Sequence, residues 1–259
     1  MIYIRTAEEI ELLRESNQLV SKTLAEVAKF IEPGISTGKL DKIAEEFIRD
    51  NKAEPGFLKY QGYPKTLCTS INCQVVHGIP SAQVLNEGDI ISIDCGVKKS
   101  GYYGDSAYTF AVGEINEDVK RLMNITKEAL FIGIENAMEG KRTGDIGFAI
   151  QEFCEKAGYS VVRELVGHGL GKALHESPEV PNYGRKGKGS KLTAGMVICI
   201  EPMINMGRKE IVQEKDGWTI RTSDRKPSAH FELAVAVQKG EADILSTFRY
   251  IEEVINKKQ

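Results

Sequence analysis

Five residues of this sequence have the side chains and the positions expected of metal ligands. Two of them, Glu201 and Glu232, lie at the end of or within apolar segments that predict buried strands. A buried carboxylate costs several kcal/mol unless it is paired or binds a cation. Carboxylate oxygens together with a histidine nitrogen suit a divalent Mn, Fe, Co or Zn ion. The predicted metal ligands are Asp94, Asp105, His168, Glu201 and Glu232.

Asp94 and Asp105 lie on two predicted strands that are joined by a tight turn. If the turn is centred between Lys99 and Ser100, the two aspartates face each other directly, with Cβ atoms about 5 Å apart. Like charges in that position destabilise a sheet, and a cation between them would remove the repulsion. The alternative is an exposed hairpin on which both aspartates are simply solvated.

His168 lies in the glycine-rich segment Val166-Gly167-His168-Gly169-Leu170-Gly171. Glycines allow the backbone to approach a ligand closely, although a lone histidine between glycines is more often an ordinary loop residue. The segment lacks the lysine and the hydroxyl of a phosphate-binding loop, so a phosphate site is the weaker interpretation.

Structural ion pairs are the alternative explanation for the two buried glutamates. The residues that could provide such pairs are Arg221, Arg225 and His230. Four carboxylates near strand ends nevertheless favour a shared cation. Cys199 shares a predicted strand face with Glu201, so we expect it to line the wall of the same site.

Hydrophobic periodicity and turn signals predict the elements that must position these residues. Thr6 and Glu9 have the spacing of a capping box, and the helix that follows them ends before Pro33-Gly34. A second helix is expected to start near Thr37. Residues 55–82 are expected to be loops with short strands, and residues 167–191 are expected to be mainly loop. Further helices are predicted over 117–139 and 144–157, and strands over 90–94, 103–112 and most of 196–237.

The sequence also repeats itself in outline. Leu85–Asp94 matches Leu192–Glu201 at an offset of 107 residues, and both segments end in a carboxylate. Gly34–Phe47 matches Gly140–Phe153 at an offset of 106 residues. Two matches in the same order predict a duplicated α+β fold whose paired strand ends meet at one place. We expect a single catalytic domain over residues 1–259, with repeats at about 6–112 and 117–240.

Length, charge and cysteine content narrow the class of protein. The 259 residues can bury a core without disulfides. Lys and Arg number 34 against 37 Asp and Glu, without a long charged block, which argues against nucleic acid or a membrane as a main partner. Five cysteines without C-x-x-C spacing, and an N-terminus without an apolar signal segment, favour the cytoplasm. A monomer is the default expectation.

Seven short motifs follow one another along the chain. They are Val76-His77-Gly78-Ile79-Pro80, Ile93-Asp94-Cys95-Gly96, Gly104-Asp105-Ser106, Gly167-His168-Gly169-Leu170-Gly171, His175-Glu176-x-Pro178, Ile200-Glu201-Pro202 and His230-Phe231-Glu232. Together they resemble the methionine aminopeptidases, over nearly the whole chain. The resemblance implies the pita-bread fold, in which pseudo-twofold duplicated antiparallel sheets carry helices on the outside. Only 32 residues separate His168 from Glu201, which resembles the short bacterial type I form, because type II members carry an inserted segment there.

The resemblance also implies a role for each ligand. Asp94 would bind one of two divalent metal ions, His168 and Glu201 would bind the other, and Asp105 and Glu232 would bridge both. A water that bridges the two ions would attack the peptide carbonyl. Glu201 would in addition carry a proton to the leaving amine. His77 and His175 would steady the substrate amide and the tetrahedral intermediate.

Substrate selectivity is implied by a further set of positions. The expected methionine pocket is formed by Tyr60, Tyr63, Cys68 and Trp218, since sulfur packs well on aromatic edges. Leu174 stands where the family often has phenylalanine, which would widen the pocket and relax the selectivity for methionine. Asn72 and Ser228 match positions that bind a monovalent cation in some relatives.

The activity implied by the resemblance is the removal of the N-terminal methionine from nascent polypeptides and peptides, with the ribosome exit as an expected place of work. One alternative is an Xaa-Pro aminopeptidase or dipeptidase of the same fold. The other is a metal-free pita-bread protein that binds ligands without chemistry, although such relatives typically lack metal ligands that are present here.

Overall fold

Helix α1 (Ala7–Ala28) begins at the predicted capping box. In the computed structural model, which describes residues 1–258, the Thr6 hydroxyl accepts a hydrogen bond from the N–H of Glu9. The Glu9 carboxylate in turn accepts the N–H of Thr6. These two bonds satisfy donors that the first turn of a helix leaves free, which explains why the helix starts here.

The other predicted helices are also confirmed, with ends that differ by a few residues. Within residues 1–258 the helices after α1 are α2 (Thr37–Asp50), α3 (Glu117–Glu135), α4 (Thr143–Lys156) and α5 (Arg249–Lys258), with a short 3₁₀ helix at Tyr60–Gly62. The strands are β1 (Glu54–Pro55), β2 (Leu67–Ile71), β3 (Gln74–Val76), β4 (Ile90–Lys99), β5 (Tyr102–Ala111), β6 (Ser160–Val161), β7 (Gly167–Gly169), β8 (Glu176–Val180), β9 (Val197–Ile200), β10 (Met203–Asn205), β11 (Ile211–Gln213), β12 (Ile220–Thr222), β13 (Ser228–His230), β14 (Leu233–Ala236) and β15 (Asp243–Ile244).

Antiparallel pairing organises these strands into four sheets. In the first sheet, β4 pairs with β5 on one side and with β1 and β2 on the other. The largest sheet in the second half has the order β15-β14-β9-β7-β8. Two three-stranded sheets, β13-β10-β6 and β11-β12-β3, complete the arrangement. The segment 167–191, predicted to be mainly loop, therefore contributes two strands, β7 and β8.

The register of the β4–β5 hairpin corrects one prediction. Asp94 and Asp105 are not directly opposite each other, because Asp94 pairs with Ala107 and Asp105 pairs with Gly96. The turn is centred between Ser100 and Gly101, one residue later than predicted. This shift moves every pair by two positions, so the two aspartates remain on the same face of the sheet as diagonal neighbours.

In each half of the chain, the segments identified by the two sequence matches contact each other through the backbone in the same way. The N–H of Gly34 donates to Leu85 and that of Gly140 donates to Leu192, so the glycine-containing turns before α2 and α4 are held alike. Ser36 forms an isolated bridge with Val84, and Arg142 forms the equivalent bridge with Lys191. These contacts support the duplicated arrangement of the fold, while the limits proposed for the two repeats stay a prediction.

Helix α5 was not predicted from the sequence. It packs against α1, and its Ile251 side chain is buried in the main hydrophobic core. Five of its ten residues are charged. None of the helices within residues 1–258 is both long enough and apolar enough to cross a membrane.

Candidate metal centre and its cavity

The candidate site lies where the sheets of the two halves meet. The backbone N–H of Glu232 donates to the carbonyl of Ala107 over 2.9 Å, and this contact joins the start of β14 to β5. The Ser106 hydroxyl donates to the Glu232 carbonyl over 2.7 Å. These bonds bring the buried carboxylates of Asp105 and Glu232 into the same region, although 126 residues separate Ser106 from Glu232.

Helix α1 supports Asp105 from behind. A Cβ atom at Gly104 would lie 2.5 Å from the backbone carbonyl carbon of Ser16, so only glycine allows the helix to approach this closely. The approach lets the Asn17 side-chain oxygen accept the N–H of Asp105 over 3.1 Å. The Asn17 side chain is itself held by donation to the Leu13 carbonyl. The backbone of Asp105 is therefore fixed by a buried polar network.

Glu201 and Glu232 are neighbours across the β9–β14 ladder. The last pair of the ladder joins Ile200 to Leu233, and the two glutamates come one position beyond it. The Asn182 amide donates to the backbone carbonyl of Glu201 over 3.0 Å, which fixes the chain as it leaves β9. The apolar strands thus deliver both carboxylates to the same end of the sheet.

His168 is oriented for metal binding by its own loop. Its Nδ1–H donates to the carbonyl of Gly169 over 2.9 Å, which leaves the Nε2 lone pair free. Nε2 lies 3.7 Å from Oδ2 of Asp105 and 3.6 Å from Oε1 of Glu201. Burial lowers the pKa of His168 to about 3, so the ring is neutral near pH 7 and able to ligate.

Burial and mutual repulsion dominate the electrostatics of the carboxylates. Burial raises the pKa of Asp94 to about 7. Burial, and then the charges of the other carboxylates, raise the pKa of Asp105, Glu201 and Glu232 well above their ordinary values. One buried oxygen on each of three side chains has no hydrogen-bond partner: Asp94 Oδ1, Asp105 Oδ1 and Glu232 Oε1. A buried carboxylate oxygen without a hydrogen-bond partner is available to bind a cation.

The structure does not support ion pairs as the reason for the burial of these carboxylates, whether complete or partial. Arg221 binds Glu214 instead. Among residues 1–258, no lysine or arginine nitrogen lies within 4.0 Å of the four carboxylates. His230 lies closest, with Nε2 3.7 Å from Oε2 of Glu201, and burial lowers its pKa to about 3. A neutral His230 cannot balance the charge of Glu201, so a cation remains the better explanation.

A single cavity of about 200 Å³ brings the predicted site residues together. It is lined by all five predicted ligands, by His77 and His175, and by Tyr60, Tyr63, Cys68, Leu174 and Trp218. Phe57 and Gln61 also line it and were not predicted. Phe57 packs on Gly96 of β4, where a Cβ atom would lie 2.5 Å from the phenylalanine ring. That contact between distant segments has no signal in the sequence.

Part of the cavity wall is apolar and aromatic. The rings of Tyr63 and Trp218 meet edge to face, with their centroids 5.1 Å apart. The Tyr63 hydroxyl donates to the carbonyls of Leu67 and Gly78, so the ring is held in place. Cys68 and Leu174 pack in the same cluster and are buried. A fixed aromatic pair of this kind suits a flexible thioether side chain.

The two histidines that were expected to contact substrate lie on the wall of the cavity. The Nδ1 atom of His175 is 2.9 Å from the Tyr60 hydroxyl, and its ring meets that of His168 edge to face at 4.3 Å. His77 has a left-handed backbone with φ of 60°. Burial, and then the nearby His175, lower the pKa of His77 to about 4, so it is neutral near pH 7.

Asn72 and Ser228 lie outside the cavity. The Ser228 N–H donates to the Asn72 carbonyl over 2.9 Å. The side chain of Asn72 bonds to Asp89 and to the N–H of Ile90, and the Ser228 hydroxyl donates to Asn205 and to the Ile204 carbonyl. The side chains of Asn72 and Ser228 are thus hydrogen-bonded to other groups of the protein. The monovalent-cation site stays a prediction.

The fold and the carboxylate–histidine site define a metallopeptidase. A model of metallopeptidase family M24 matches residues 11–239, and the chain belongs to this family. It is similar to the methionine aminopeptidase of Clostridium acetobutylicum, at 49% identity over 247 residues that cover 95% of this chain and 99% of that protein. The crystal structure of methionine aminopeptidase from Rickettsia prowazekii has a TM-score of 0.94 at 41% identity and covers 95% of this chain and 100% of that chain.

A more distant likeness shows the fold alone. The Xaa-Pro dipeptidase from Bacillus anthracis has a TM-score of 0.76 at 22% identity, and the match covers 94% of this chain but 62% of that chain. The structural matches confirm the predicted pita-bread fold. Membership of family M24, with the buried cluster of potential ligands, also confirms the predicted binding of divalent metal.

Proposed function

We propose that this chain hydrolyses the peptide bond that follows an N-terminal methionine in peptides and nascent polypeptides. The proposal rests on one observation: a single cavity is lined both by the metal-ligand cluster and by the fixed Tyr63–Trp218 pair. A methionine side chain that packs on this aromatic pair would lie in the same cavity as the ligand cluster. The similarity to methionine aminopeptidases over nearly the full chain supports the same activity.

Two divalent ions fit the ligand set better than one. Asp105 and Glu232 are buried and Asp94 and Glu201 are partly buried, and together these four carboxylates carry up to four negative charges, which a single divalent ion cannot balance. We propose that Asp94 would hold one ion, that His168 and Glu201 would hold the other, and that Asp105 and Glu232 would contribute to holding both. The donor set suits Co, Mn, Fe or Zn without choosing among them. Ions held there would lower the pKa of a water and polarise the substrate carbonyl.

The protein side chains provide positioning and proton transfer. The Tyr60 hydroxyl can donate to Nδ1 of His175, which leaves Nε2–H of that ring to donate to the substrate carbonyl oxygen. His77, neutral near pH 7, can donate a second hydrogen bond to the developing negative charge. Glu201 lies in the ligand cluster, with its Oε1 atom 3.6 Å from Nε2 of His168, so its carboxylate can accept a proton from the attacking water and pass it to the leaving amine.

The natural setting that we propose is the cytoplasm, with nascent chains at the ribosome exit as substrates and a monomer as the working form. All five cysteines are free thiols, which suits a reducing compartment. Size-exclusion chromatography with light scattering would test the monomer, and co-sedimentation with ribosomes would test that contact.

A peptide panel tests the proposed activity. The metal-stripped protein would be supplied separately with Co, Mn, Fe or Zn and given Met-Ala-Ser or Ala-Pro-Ala. We expect the first peptide to be cleaved in a metal-dependent way and the second to be left intact, with the Glu201→Gln protein as the inactive control. Cleavage of Ala-Pro-Ala alone would instead favour the Xaa-Pro activity. Absence of bound transition metal together with absence of metal-stimulated cleavage would favour the metal-free binding protein.

A further inference from the structure

A buried ion pair joins the N-terminal segment, residues 1–5, to the chain beside His175. The Arg5 guanidinium donates to the carboxylate of Glu176, the residue that follows His175. The two side chains are 6% and 8% exposed. No other arginine or lysine ion pair within residues 1–258 buries both partners to this extent. Desolvation offsets much of the attraction in a buried pair, so stability alone is a weak explanation for this one.

Glu176 holds the short loop that carries Leu174 and His175. Its Oε2 atom accepts the hydrogen bond from Arg5, and its Oε1 atom accepts the backbone N–H of Ala173 over 3.2 Å. The carboxylate therefore closes a tight loop between Ala173 and Glu176. Both residues inside this loop line the cavity, so its backbone determines part of the cavity wall.

Arg5 is itself fixed from the other side. Its backbone N–H donates to the carbonyl of Gly195 over 2.8 Å, just before strand β9. Ile2 forms a bridge with Ser177, so the N-terminal segment runs beside the start of β8. A Cβ atom at Gly171 would overlap the Arg5 guanidinium, so the arginine packs directly on this part of the chain. The guanidinium therefore holds the Glu176 carboxylate from a fixed position.

We propose that Arg5 is a positioning residue for His175 and acts through Glu176. The inference rests on the proposed function, in which His175 donates a hydrogen bond to the substrate carbonyl oxygen. His175 is exposed, so the packing around its ring is incomplete and the backbone of the loop determines where the ring lies. Loss of the Arg5 charge would release the Glu176 carboxylate and loosen the loop. A displacement of the imidazole by about 1 Å is enough to lower the rate.

Steady-state kinetics of the metal-loaded full-length protein with Met-Ala-Ser test this role. Arg5→Met keeps a long side chain without the charge, and it should lower kcat by roughly 10- to 100-fold. KM should change little, because the hydrogen bond from His175 acts mainly in the transition state. Arg5→Lys retains a cation and should restore most of kcat. Elemental analysis should find the metal content of the wild type in both variants.

The His175→Ala protein provides the decisive background. If Arg5 acts through His175, then Arg5→Met should lower kcat no further in that background. The matched control is Arg14→Met, because Arg14 of α1 also bonds to a distant carboxylate, that of Asp243 over 2.6 Å, without lining the cavity. This control should leave kcat at the wild-type value.

The outcomes separate this inference from the proposed function. Wild-type protein that leaves Met-Ala-Ser intact with every metal would overturn both. Wild-type kcat in Arg5→Met, or an equal loss of kcat in the His175→Ala background, would overturn the positioning role alone. Assays run well below the Tm of each variant, so that unfolding is not mistaken for a lower kcat. If Arg5→Met does not fold, Glu176→Gln tests the same link, because it removes the charge and keeps an oxygen for the Ala173 N–H.

Discussion

Asp94 and Asp105 are diagonal neighbours on one face of the β4–β5 hairpin, because Asp94 pairs with Ala107 and Asp105 pairs with Gly96. Each aspartate has a buried Oδ1 atom without a hydrogen-bond partner. Burial raises the pKa of Asp94 to about 7. In the metal-free protein, ionisation of both side chains therefore opposes folding, and a bound cation removes that penalty.

The first prediction concerns Asp94→Asn in the metal-free protein. The folded-state pKa of Asp94, about 7, exceeds its ordinary value of 3.8, so between these values the folded protein holds a proton that the unfolded chain has lost. The free energy of unfolding of the wild type thus falls as pH rises through this window. We expect the Tm gain of Asp94→Asn to be small near pH 4, to grow up to pH 7 and to level off above it. Thermal unfolding in chelator measures the gain.

The control for this experiment is Glu128→Gln, which removes an exposed acidic side chain on α3. It should show no comparable pH-dependent gain. Saturating metal should reverse the order of stability, because the wild type binds the ion with one more ligand and is stabilised by mass action. A gain that is the same at every pH would contradict the role assigned to the Asp94 charge.

The gathering of the candidate ligands in one cavity could be predicted from the sequence, but the hairpin register could not. Residue types and apolar segments identify which carboxylates are buried, and both aspartates do lie on one face. The register depends on where the chain turns. Ser100 and Gly101 both have positive φ, 51° and 82°, which is the geometry of a two-residue hairpin loop. Serine rarely adopts that conformation, so its position gave no signal.

Residues that act through tertiary contacts were also missed. Phe57 and Gln61 line the cavity from the segment after β1, which was predicted as loops with short strands. Asn17 supports Asp105 from a helix 88 residues earlier in the chain. His230 was considered as an ion-pair partner, whereas complete burial keeps it neutral beside Glu201. Such contacts depend on how distant segments pack, which local patterns do not encode.

Glu201→Gln separates proton transfer from folding. The amide has nearly the shape of the carboxylate but cannot accept the proton, so we expect kcat to fall by roughly 10²–10⁴. Circular dichroism and Tm in chelator should show an intact fold. Because Glu201 is also a proposed ligand, the metal content of the variant must be measured alongside its activity. Near-wild-type turnover at normal metal content would remove Glu201 from proton transfer.

Tyr60 and His175 should act as one unit, because the Tyr60 hydroxyl lies 2.9 Å from Nδ1 of His175. His175→Ala is expected to lower kcat/KM for Met-Ala-Ser by roughly 10²–10³, the usual cost of losing a donor to the oxyanion. Tyr60→Phe should cost less, since it only loosens the ring. In the double variant the two losses should not add. Fully additive losses would show that Tyr60 contributes independently of His175.

The selectivity of the cavity can be tested at Leu174, which is 1% exposed and lines it. Phenylalanine in its place would narrow the pocket. The kcat/KM ratio for Met-Ala-Ser over peptides that begin with bulkier residues should then rise by roughly tenfold, within the range for shape discrimination in an apolar pocket. Overpacking also costs about 1–3 kcal/mol of stability, so Tm must be measured in parallel.

Leu12→Phe is the matched control for Leu174→Phe, because Leu12 packs against the same hydrophobic cluster without lining the cavity. It makes the same change of side chain, and the peptide ratio should stay at its wild-type value. If Leu174→Phe lowered kcat/KM equally for every peptide, residue 174 would affect the activity of the site without setting its width. A rise confined to Leu174→Phe would mean that the leucine itself relaxes the selectivity of this pocket, since the control alters the same cluster without narrowing the cavity.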